Sequence, residues 1–427
     1  MKFKIVTLGC KVNTYESVFM KEELIKAGYH EEEPADIIII NTCSVTNVAD
    51  NKSKKVIRHE KRNNPQAIIV VCGCSAENNR EKLNDLGINI LIGNKDKSKI
   101  VSLIKEYLDN KENIIRFYDM RKLDFEDMCI HKFEEQTRGY IKIQDGCCNY
   151  CSYCIIPYLR GSIRSKDKEL VLKEATDLVN NGHKELVLTG IDTGSYGKDK
   201  GYTLTSLIKE LSLIKNLERI RLSSVEITQL DKEFLELLKT DKVLCNHLHI
   251  PLQAGSDKIL KLMNRKYDLK YFFDKIDEIR SIRPDISITT DVIVGFPGES
   301  DENFLTTLDT CRKLKFSKIH VFPYSKRNGT KASNFPNQVD NRIKKDRARK
   351  LIALSNNLEL EYNKLFLNKK VSVLIEEVED NLSIGHTSNY LKVCIPMKLK
   401  RNELYNVVIT SVDSEICNGI LEGDSNE

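Results

Sequence analysis

The sequence contains no apolar run that approaches the length of a membrane span and no strong excess of charge of either sign. Its longest apolar stretches, IIIINTC and AIIVVCGC, are far shorter than the roughly 20 residues that a membrane-spanning helix needs. The first residues, MKFKIVTLGC, lack the apolar segment of a signal peptide. The net charge of +5 permits a polyanionic partner without requiring one. We therefore expect a cytoplasmic protein with no membrane partner.

Cysteine is abundant, with 13 in 427 residues. In a reducing compartment cysteines are rarely paired as disulfides, and clustered ones more often bind metals or take part in catalysis. Scattered cysteines are better explained as small buried residues or incidental thiols. This second group comprises Cys129, Cys245, Cys311, Cys394 and Cys417.

The first part of the chain alternates strand-like runs with helical patterns. The runs at 36–43 and 67–74 are continuously apolar, as in strands that are buried on both faces. A helix is expected to begin near Asn13, which can cap it, with Glu16 three residues later. Repeated strand–helix units predict an open parallel α/β domain with helices on both faces of its sheet.

Three cysteines of this region share one position in the pattern. Cys10, Cys43 and Cys74 each follow the end of a predicted strand, whereas Cys72 falls within a strand and is expected in the core. Parallel strands end at one edge of a sheet, which is the edge where ligands bind. The three thiols are therefore expected to converge, although three unrelated strand-end cysteines would give the same pattern.

A second strand–helix series begins near residue 139. Six such units predict a partial (β/α)6 barrel, with its chemistry at the C-terminal ends of the strands. A cysteine cluster directly follows the first of them and therefore lies at that end. The predicted strands are 140–145, 185–191, 219–224, 247–253, 287–295 and 318–325.

The cluster reads DGCCNYCSYCIIPYLRG, with four cysteines within eight residues: Cys147, Cys148, Cys151 and Cys154. Two ligand sets are possible, because either Cys147 or Cys148 can act together with Cys151 and Cys154. Structural zinc normally takes four ligands from two separated pairs, and no second pair follows closely. Three thiolates in one loop instead suit an iron–sulfur cluster that keeps one iron open.

The last part of the chain changes character. Residues 342–350, RIKKDRARK, predict a basic helical segment that is either a solvated face or a contact for phosphates. From about residue 369, short strands alternate with turn residues, among them the predicted turn DNLSIGHTSN. A small all-β barrel of the OB type fits this pattern, and such barrels commonly bind nucleic acid.

Several motifs, in order along the chain, resemble the radical S-adenosylmethionine methylthiotransferases. The loop GCCNYCSYCIIPYLRG is similar to the CxxxCxxC signature of radical S-adenosylmethionine (radical SAM) enzymes. TLGCKVNTYES, INTCSVTNVAD and VVCGCSAE resemble the N-terminal domain of the family. LTGIDTGSYG, RLSSVEIT, HLHIPLQAGSDKIL, IVGFPGES and FPYSKRNGT resemble its radical barrel, and IGHTSNYLKV resembles its TRAM domain. The resemblance implies domains at 1–128, 129–367 and 368–427.

The resemblance also implies the cofactors: two [4Fe–4S] clusters and S-adenosylmethionine. Enzymes of this family replace an unactivated C–H bond by C–S–CH3. One S-adenosylmethionine yields the 5′-deoxyadenosyl radical that abstracts the hydrogen, and a second donates the methyl group. Cys148 would not be a ligand in this frame. The implied ligands are Cys147, Cys151 and Cys154 for the first cluster and Cys10, Cys43 and Cys74 for the second, where sulfur is delivered.

The cofactor pocket is expected at the strand ends of the barrel. Glycines in LTGIDTG would let the backbone approach the methionyl group. Polar residues at later strand ends would contact the ribose or the amino group. In VGFPGE, the loop 295–298 would lie beneath the adenine, and Glu299 would cap the following helix. The pocket residues predicted in this way are Gly190, Gly194, Ser224, Glu226, Gln253 and Asp291.

Three branches of the family differ in substrate, and the context of the first cysteine separates them. TLGCKVN resembles the branch that acts on threonylcarbamoyladenosine in tRNA. The isopentenyladenosine branch more often reads like FGCQMN, and the branch that modifies a ribosomal-protein aspartate like SLGCPKN. The implied partners are the anticodon loop of tRNA and an electron donor such as flavodoxin or ferredoxin. An iron–sulfur redox sensor, or an RNA-binding module without turnover, is the alternative from another class.

Overall fold

The computed structural model describes residues 1–133 and 137–423. Within these ranges, the chain forms two α/β units followed by a small β barrel, as the sequence predicts. No helix of the described ranges is long and apolar enough to cross a lipid bilayer. Residues 134–136 and 424–427, which fall within the predicted second and third domains, lie outside the described residues.

The N-terminal unit is an open sheet of six parallel strands in the order β2-β1-β3-β4-β5-β6. Its central strands consist of fully buried residues, because helices cover both faces of the sheet. The strands are β1 Lys2–Thr7, β2 His30–Glu31, β3 Ile37–Thr42, β4 Ile68–Gly73, β5 Ile90–Ile92 and β6 Ile114–Arg116; the helices are α1 Lys11–Lys26, α2 Asn47–Asn63, α3 Cys74–Asn78, α4 Arg80–Asn84 and α5 Ile100–Asn110.

The central unit contains the six predicted barrel strands as two parallel sheets, β7-β10-β11 and β12-β13-β14. A parallel bridge between Ile220 and Leu244 links the two sheets, so the strands form an open arc. The strands are β7 Arg138–Lys142, β8 Gln144–Asp145, β9 Arg164–Ser165, β10 Glu185–Thr189, β11 Arg219–Leu222, β12 His247–His249, β13 Ser287–Val294 and β14 Lys318–Pro323.

Helices alternate with these strands and a long helix closes the unit. The helices are α6 Ile156–Arg160, α7 Lys168–Asn180, α8 Leu204–Leu211, α9 Lys232–Thr240, α10 Asp257–Leu262, α11 Leu269–Ile282, α12 Asp301–Leu314 and α13 Asn341–Lys364. One apolar core runs without a break from the N-terminal sheet into this barrel. The two units are therefore held in a fixed relation, which matters because each carries one cysteine trio.

The C-terminal unit is a closed five-stranded barrel with its own apolar core. Closure leaves no free sheet edge, which allows so small a unit to be stable beside a larger one. Its strands are β15 Lys370–Glu379, β16 Leu382–Thr387, β17 Lys392–Ile395, β18 Leu404–Val412 and β19 Cys417–Leu421.

Two local predictions are wrong. Helix α1 begins at Lys11 rather than near Asn13, and Cys10 occupies its N-cap position. Asn13 is buried inside the first turn, where its amide donates to the carbonyls of Leu8 and Thr42. The predicted turn DNLSIGHTSN contains strand β16, in which the buried residues are the small or polar Ser383, Gly385 and Thr387, so that no alternating apolar pattern marks it as a strand.

Candidate functional site

The N-terminal cysteine trio lies at the ends of three neighbouring strands. Strands β1, β3 and β4 are adjacent and parallel, and each is followed within three residues by one of the cysteines. Cys10 caps α1, Cys43 directly follows β3, and Cys74 is the first residue of α3. Cys72 is fully buried in β4, as predicted. The sheet thus brings three thiols together from positions far apart in the sequence.

The backbone at Gly9 and the pKa of Cys43 both indicate that the three strand-end thiols lie close to one another. A Cβ added at Gly9 would lie 2.8 Å from the Cys43 sulfur, so only glycine leaves room for it. Burial raises the pKa of the Cys43 thiol to about 11, and the Cys74 and Cys10 thiols act in the same direction. The Cys43 thiol is therefore protonated at neutral pH, and metal binding would have to displace its proton.

A single arginine connects this trio to the barrel. Arg160 is fully buried at the end of α6, six residues beyond the last cysteine of the loop cluster. Its Nε donates to the Cys74 sulfur at 3.3 Å, and one terminal nitrogen donates to the Asn13 side chain at 3.0 Å. The other terminal nitrogen contacts Asp145 at 3.0 Å and Glu16 at 3.2 Å. Arg160 thus offers a positive charge and a hydrogen bond to the trio.

Glu16 lies at the centre of the buried charges around Arg160. It pairs with Lys97, with Lys142 at 2.8 Å and with Arg160. Burial alone would raise the pKa of Glu16, but Lys142, Lys97 and Arg160 hold it well below its usual range. At least three cations here face two carboxylates, those of Glu16 and Asp145. The surplus positive charge suits an anionic cluster beside Cys74.

The second cysteine trio comes from one loop between β8 and α6. The backbone N–H of Asn149 donates to the Cys147 sulfur at 3.4 Å, and Arg265 donates to the Cys151 sulfur at 3.2 Å. Burial raises the pKa of Cys154 to about 12, with the Cys151 thiol acting in the same direction. Hydrogen bonds to sulfur and a nearby cation are features of iron–sulfur sites.

Cys148 is exposed, whereas the other three cysteines of the loop are partly buried. That exposure favours the CxxxCxxC frame. Both trios fit a [4Fe–4S] cluster in donor type, in their hydrogen bonds from arginine and, at Gly9, in the room left for sulfur. Among the described residues, no three His, Cys, Asp or Glu side chains meet closely enough to hold one metal ion. A cluster takes its cysteines at separate corners and so needs a wider set.

Two of the predicted pocket residues take part in charged contacts at the strand ends. Glu226 pairs with Arg265, the arginine that also contacts Cys151. Asp291 lies on β13, 3.3 Å from the His249 ring nitrogen. Burial raises the pKa of Glu226, and Arg265 opposes that shift. Both carboxylates lie at the C-terminal side of the barrel, where the sequence predicts the cofactor, and their contact with it stays a prediction.

The other predicted pocket residues have more local explanations. A Cβ at Gly190 would lie 2.9 Å from the Gln144 side chain, and one at Gly194 would lie 2.1 Å from that of Gln229. Packing against glutamines is therefore one reason for glycine at both positions. Gln253 adopts a positive φ of 65°. Ser224 is half-buried in the loop after β11. Cofactor contacts at these four positions stay predictions.

Glu299 does not cap the following helix, because Ser300 takes that position. Its carboxylate instead accepts hydrogen bonds from the Gly295 backbone and from Arg347, both at 2.6 Å. Arg347 and Lys344 belong to the basic segment 342–350, and both are buried. Two of the six basic residues of this segment are thus structural. The remaining four are Arg342, Lys345, Arg349 and Lys350, all exposed.

The C-terminal barrel docks on the N-terminal ends of the central strands. Arg138, the first residue of β7, pairs with both oxygens of Glu376 at 2.5 and 2.7 Å and donates to the Tyr390 hydroxyl at 3.0 Å. Arg221 donates to the Thr387 carbonyl at 3.2 Å. The docking loop, residues 386–390, therefore contacts the central unit, and its side chains are engaged within the protein.

Tyr390 is the centre of that contact. Its ring stacks on His386 and His247, with centroids 4.9 and 5.1 Å apart, and the Arg221 guanidinium lies 4.6 Å from its centroid. Tyr390 nevertheless remains 37% exposed, so solvent reaches this contact. The N-terminal side of the arc is thus covered by the third unit, opposite the cysteine loop.

Sequence reasoning missed the two arginines that contact the cysteine sulfurs. Arg160 stands in the quoted loop GCCNYCSYCIIPYLRG, but its partners come from the other unit and no spacing indicates them. Arg265 follows α10 and reaches Cys151 across 114 positions of sequence. A buried arginine close behind a cysteine motif would have been the available signal for Arg160.

Comparisons with known proteins agree with this arrangement. The family description Radical SAM superfamily matches residues 141–311, and Uncharacterized protein family UPF0004 matches residues 2–93. The radical SAM methyltransferase TsrM from Kitasatospora setae has a similar fold, with a TM-score of 0.56 at 13% identity over 75% of this chain and 72% of that one. The open barrel and the cysteine loop thus define a radical SAM enzyme.

Sequence relatives narrow the class. The threonylcarbamoyladenosine tRNA methylthiotransferase MtaB of Bacillus subtilis is 42% identical over 91% of this chain and 88% of its own length. Its counterpart in Aquifex aeolicus is 38% identical over 92% of this chain and 96% of its own. A tRNA-2-methylthio-N(6)-dimethylallyladenosine synthase of Natranaerobius thermophilus is 36% identical over 89% and 87%. The chain belongs to the radical SAM methylthiotransferases, and its cofactors are accordingly S-adenosylmethionine and [4Fe–4S] clusters.

Proposed function

We propose that this enzyme methylthiolates C2 of threonylcarbamoyladenosine, the adenosine immediately 3′ of the anticodon in tRNA. The observation that carries the proposal is the 42% identity, over 91% of the chain, with a methylthiotransferase named for that nucleoside. The dimethylallyladenosine enzymes are the second candidates, at 36% identity over 89%. The motif TLGCKVN at the first cysteine favours the threonylcarbamoyl branch over both others.

The residues divide the work between the two trios. When bound, the clusters and S-adenosylmethionine supply a one-electron cleavage that removes an unreactive hydrogen, together with the sulfur and the methyl group that replace it. Cys147, Cys151 and the third loop cysteine, Cys154, hold the first cluster. The strand-end trio holds the second, beside Arg160, whose positive charge and hydrogen bond stabilise it. The ligands of this second cluster are Cys10, Cys43 and Cys74.

Three further predictions belong to the proposal. The predicted pocket residues contact S-adenosylmethionine at the strand ends: Gly190, Gly194, Ser224, Glu226, Gln253 and Asp291. Exposed basic residues of α13 hold phosphates of the anticodon arm, and the adenine leaves the loop stack to expose its C2 edge. A flavodoxin or ferredoxin supplies the electron, and the reaction takes place in the cytoplasm with its tRNA substrate.

Mass spectrometry of nucleosides from bulk tRNA, with and without the gene, tests the proposal. We expect methylthio-threonylcarbamoyladenosine to disappear in the deletion strain while its unmethylthiolated parent accumulates. Restoring the wild-type gene should restore the nucleoside, and a Cys151→Ala gene should not. An unchanged level in the deletion strain contradicts the substrate assignment. The isopentenyl nucleoside and the ribosomal aspartate are then measured in that order.

A further inference from the structure

Lys11 presents an unpaired ammonium next to the strand-end trio. It directly follows Cys10 and is the first residue of α1, and its side chain is exposed. Within the described residues, no hydrogen bond or ion pair of this ammonium is found. Most of the buried cations around the same trio are, in contrast, fully paired. Arg160 contacts two carboxylates and Lys97 contacts Glu16.

Among the described residues, the carboxylate that acts on the Lys11 ammonium is Glu185, and it is already paired. The ammonium is within electrostatic range of Tyr390, Arg138, Arg221 and Glu185. Glu185 is already taken by Arg221 at 2.6 Å and by Arg138 at 3.6 Å. The region therefore has more positive than negative charge, and an incoming anionic group would be stabilised there.

Lys11 also lies close to the open barrel. Its ammonium is within electrostatic range of His247 and His320, which belong to β12 and β14. Lys11 and His320 are exposed and Tyr390 is partly exposed, so solvent reaches this region. The ammonium thus lies next to the Cys10 thiol, where residues of all three units come within electrostatic range of one another.

We propose that Lys11 binds the carboxylate of the threonylcarbamoyl group and so determines substrate specificity. The inference rests on the proposed function and names the group that recognises its substrate. Threonylcarbamoyladenosine carries a carboxylate on its N6 substituent, whereas the isopentenyl substituent is uncharged. The adenine must bring C2 to the sulfur beside Cys10, and its N6 substituent is two ring atoms away from C2. A cation adjacent to Cys10 is therefore within reach of that substituent. Recognition of a charge discriminates strongly, because a substrate without the charge leaves the cation unpaired.

The test compares anticodon stem-loop RNAs that differ only in the N6 group: threonylcarbamoyl acid, its methyl ester, isopentenyl and hydrogen. Reconstituted wild-type enzyme and the variants Lys11→Met, Lys11→Gln and Lys11→Arg are compared by fluorescence anisotropy and by initial methylthiolation rates. Lys105→Met, at an exposed lysine of α5, is the control. Iron content and cluster spectra are recorded for each variant. The acid-to-ester affinity ratio requires no turnover and remains measurable if a variant is inactive.

We expect wild-type enzyme to prefer acid to ester by about tenfold to a hundredfold, as for a charge-assisted hydrogen bond. Lys11→Met and Lys11→Gln should reduce that ratio to about one, while Lys11→Arg and Lys105→Met should keep most of it. An unchanged ratio in Lys11→Met overturns the inference, as does equal weakening of all four RNAs, which assigns Lys11 to a phosphate. If wild-type enzyme modifies the isopentenyl RNA and not the threonylcarbamoyl RNA, the proposed function itself fails.

Discussion

The two cysteine trios are built in opposite ways. The loop trio lies within eight residues of sequence, whereas the strand-end trio draws one thiol from each of three strands. The loop depends on local backbone and on one arginine, Arg265. The strand-end trio depends on sheet register, on Gly9 and on a buried charge network around Arg160. A substitution in the loop can therefore abolish cluster binding without unfolding the rest of the protein. A substitution that abolishes cluster binding at the sheet edge is expected to destabilise the surrounding fold as well.

The strand-end trio depends on the central unit through Arg160. Arg160 stands directly behind the loop trio in sequence, yet its side chain contacts the other trio. Folding of the central unit, which contains the loop trio, is therefore required to complete the strand-end site. The N-terminal sheet supplies three thiols, but the cation beside Cys74 comes from the barrel. The continuous apolar core between the units fixes this alignment.

Replacing the cysteines gives the largest expected effect. Two clusters predict about eight irons per chain, and each triple alanine variant should retain about four. Both variants should lose methylthiolation. Only the variant of the loop trio, Cys147, Cys151 and Cys154, should also lose reductive cleavage of S-adenosylmethionine. Iron analysis and a 5′-deoxyadenosine assay measure these outcomes under anaerobic conditions.

Cys148→Ala is the matched control for the loop, because Cys148 is exposed beside the proposed ligands. It should keep about eight irons and full activity. Loss of four irons in this variant would show that the other frame is used. A wild-type iron content near four, unchanged when the strand-end cysteines are replaced, would contradict the second cluster.

Replacing Arg160 should come next in size. In Arg160→Met, Glu16 and Asp145 keep their charges but lose a buried partner, which costs about 3–5 kcal/mol of folding stability. The strand-end cluster should be lost at lower temperature than the loop cluster, because the hydrogen bond to Cys74 is also removed. Thermal unfolding and cluster spectra recorded over the same temperatures measure both effects.

Arg160→Lys separates charge from geometry. A lysine keeps the charge but does not reproduce the guanidinium contacts with Cys74, Asn13 and Asp145. Stability should therefore recover in part, while the strand-end cluster should show a shifted reduction potential. Equal loss of both clusters in Arg160→Met would mean that the arginine supports the fold in general and not the strand-end site.

The sequence predicts the parts of each site that depend on local pattern. Apolar runs located β3 and β4, and the polarity change at their ends located Cys43 and Cys74. The start of α1 was misjudged, because Asn13 has the residue type of a cap but is used to tie together the loops after β1 and β3. Arg160 has partners in the N-terminal unit, and the charges around Lys11 belong to the other two units; no local pattern encodes such contacts.

For the C-terminal barrel too, the sequence predicts the class of structure but not its contacts with other units. Short strands between turn residues predicted its class, and the resemblance of IGHTSNYLKV to a TRAM domain suggested nucleic-acid binding. The structure uses the docking loop of that segment against Arg138, Arg219 and Arg221. Any RNA contact by this barrel therefore has to use its other surfaces, and no strand pattern in the sequence indicates which loop docks.

Gly9→Ala should have a smaller effect on stability, and it should lower the iron content of the strand-end trio without affecting the loop trio. The positive φ of 108° strains alanine by about 1–3 kcal/mol, and its Cβ would meet the Cys43 sulfur. Gly201→Ala is the control, since its φ is 81° but nothing lies within 4 Å of the added Cβ. Both variants should unfold earlier, but only Gly9→Ala should lose irons of the strand-end cluster. Equal iron contents would mean that the sheet edge adjusts to the added methyl group.

Substitutions on α13 should have the smallest effect, and they should leave the iron content of both trios unchanged. Arg342 and Lys345 are exposed, whereas Arg349 and Lys350 already pair with Asp346 at 2.6 and 2.8 Å. If the first pair holds phosphates, Arg342→Gln with Lys345→Gln should lower the slope of log affinity against log salt by about 1.5.

The matched variant on the same helix, Arg349→Gln with Lys350→Gln, should lower that slope less, because Asp346 already neutralises part of its charge. Both double variants should retain full iron and normal cleavage of S-adenosylmethionine, since α13 has no contact with either proposed set of ligands among the described residues. An unchanged slope in both would remove α13 from the RNA surface.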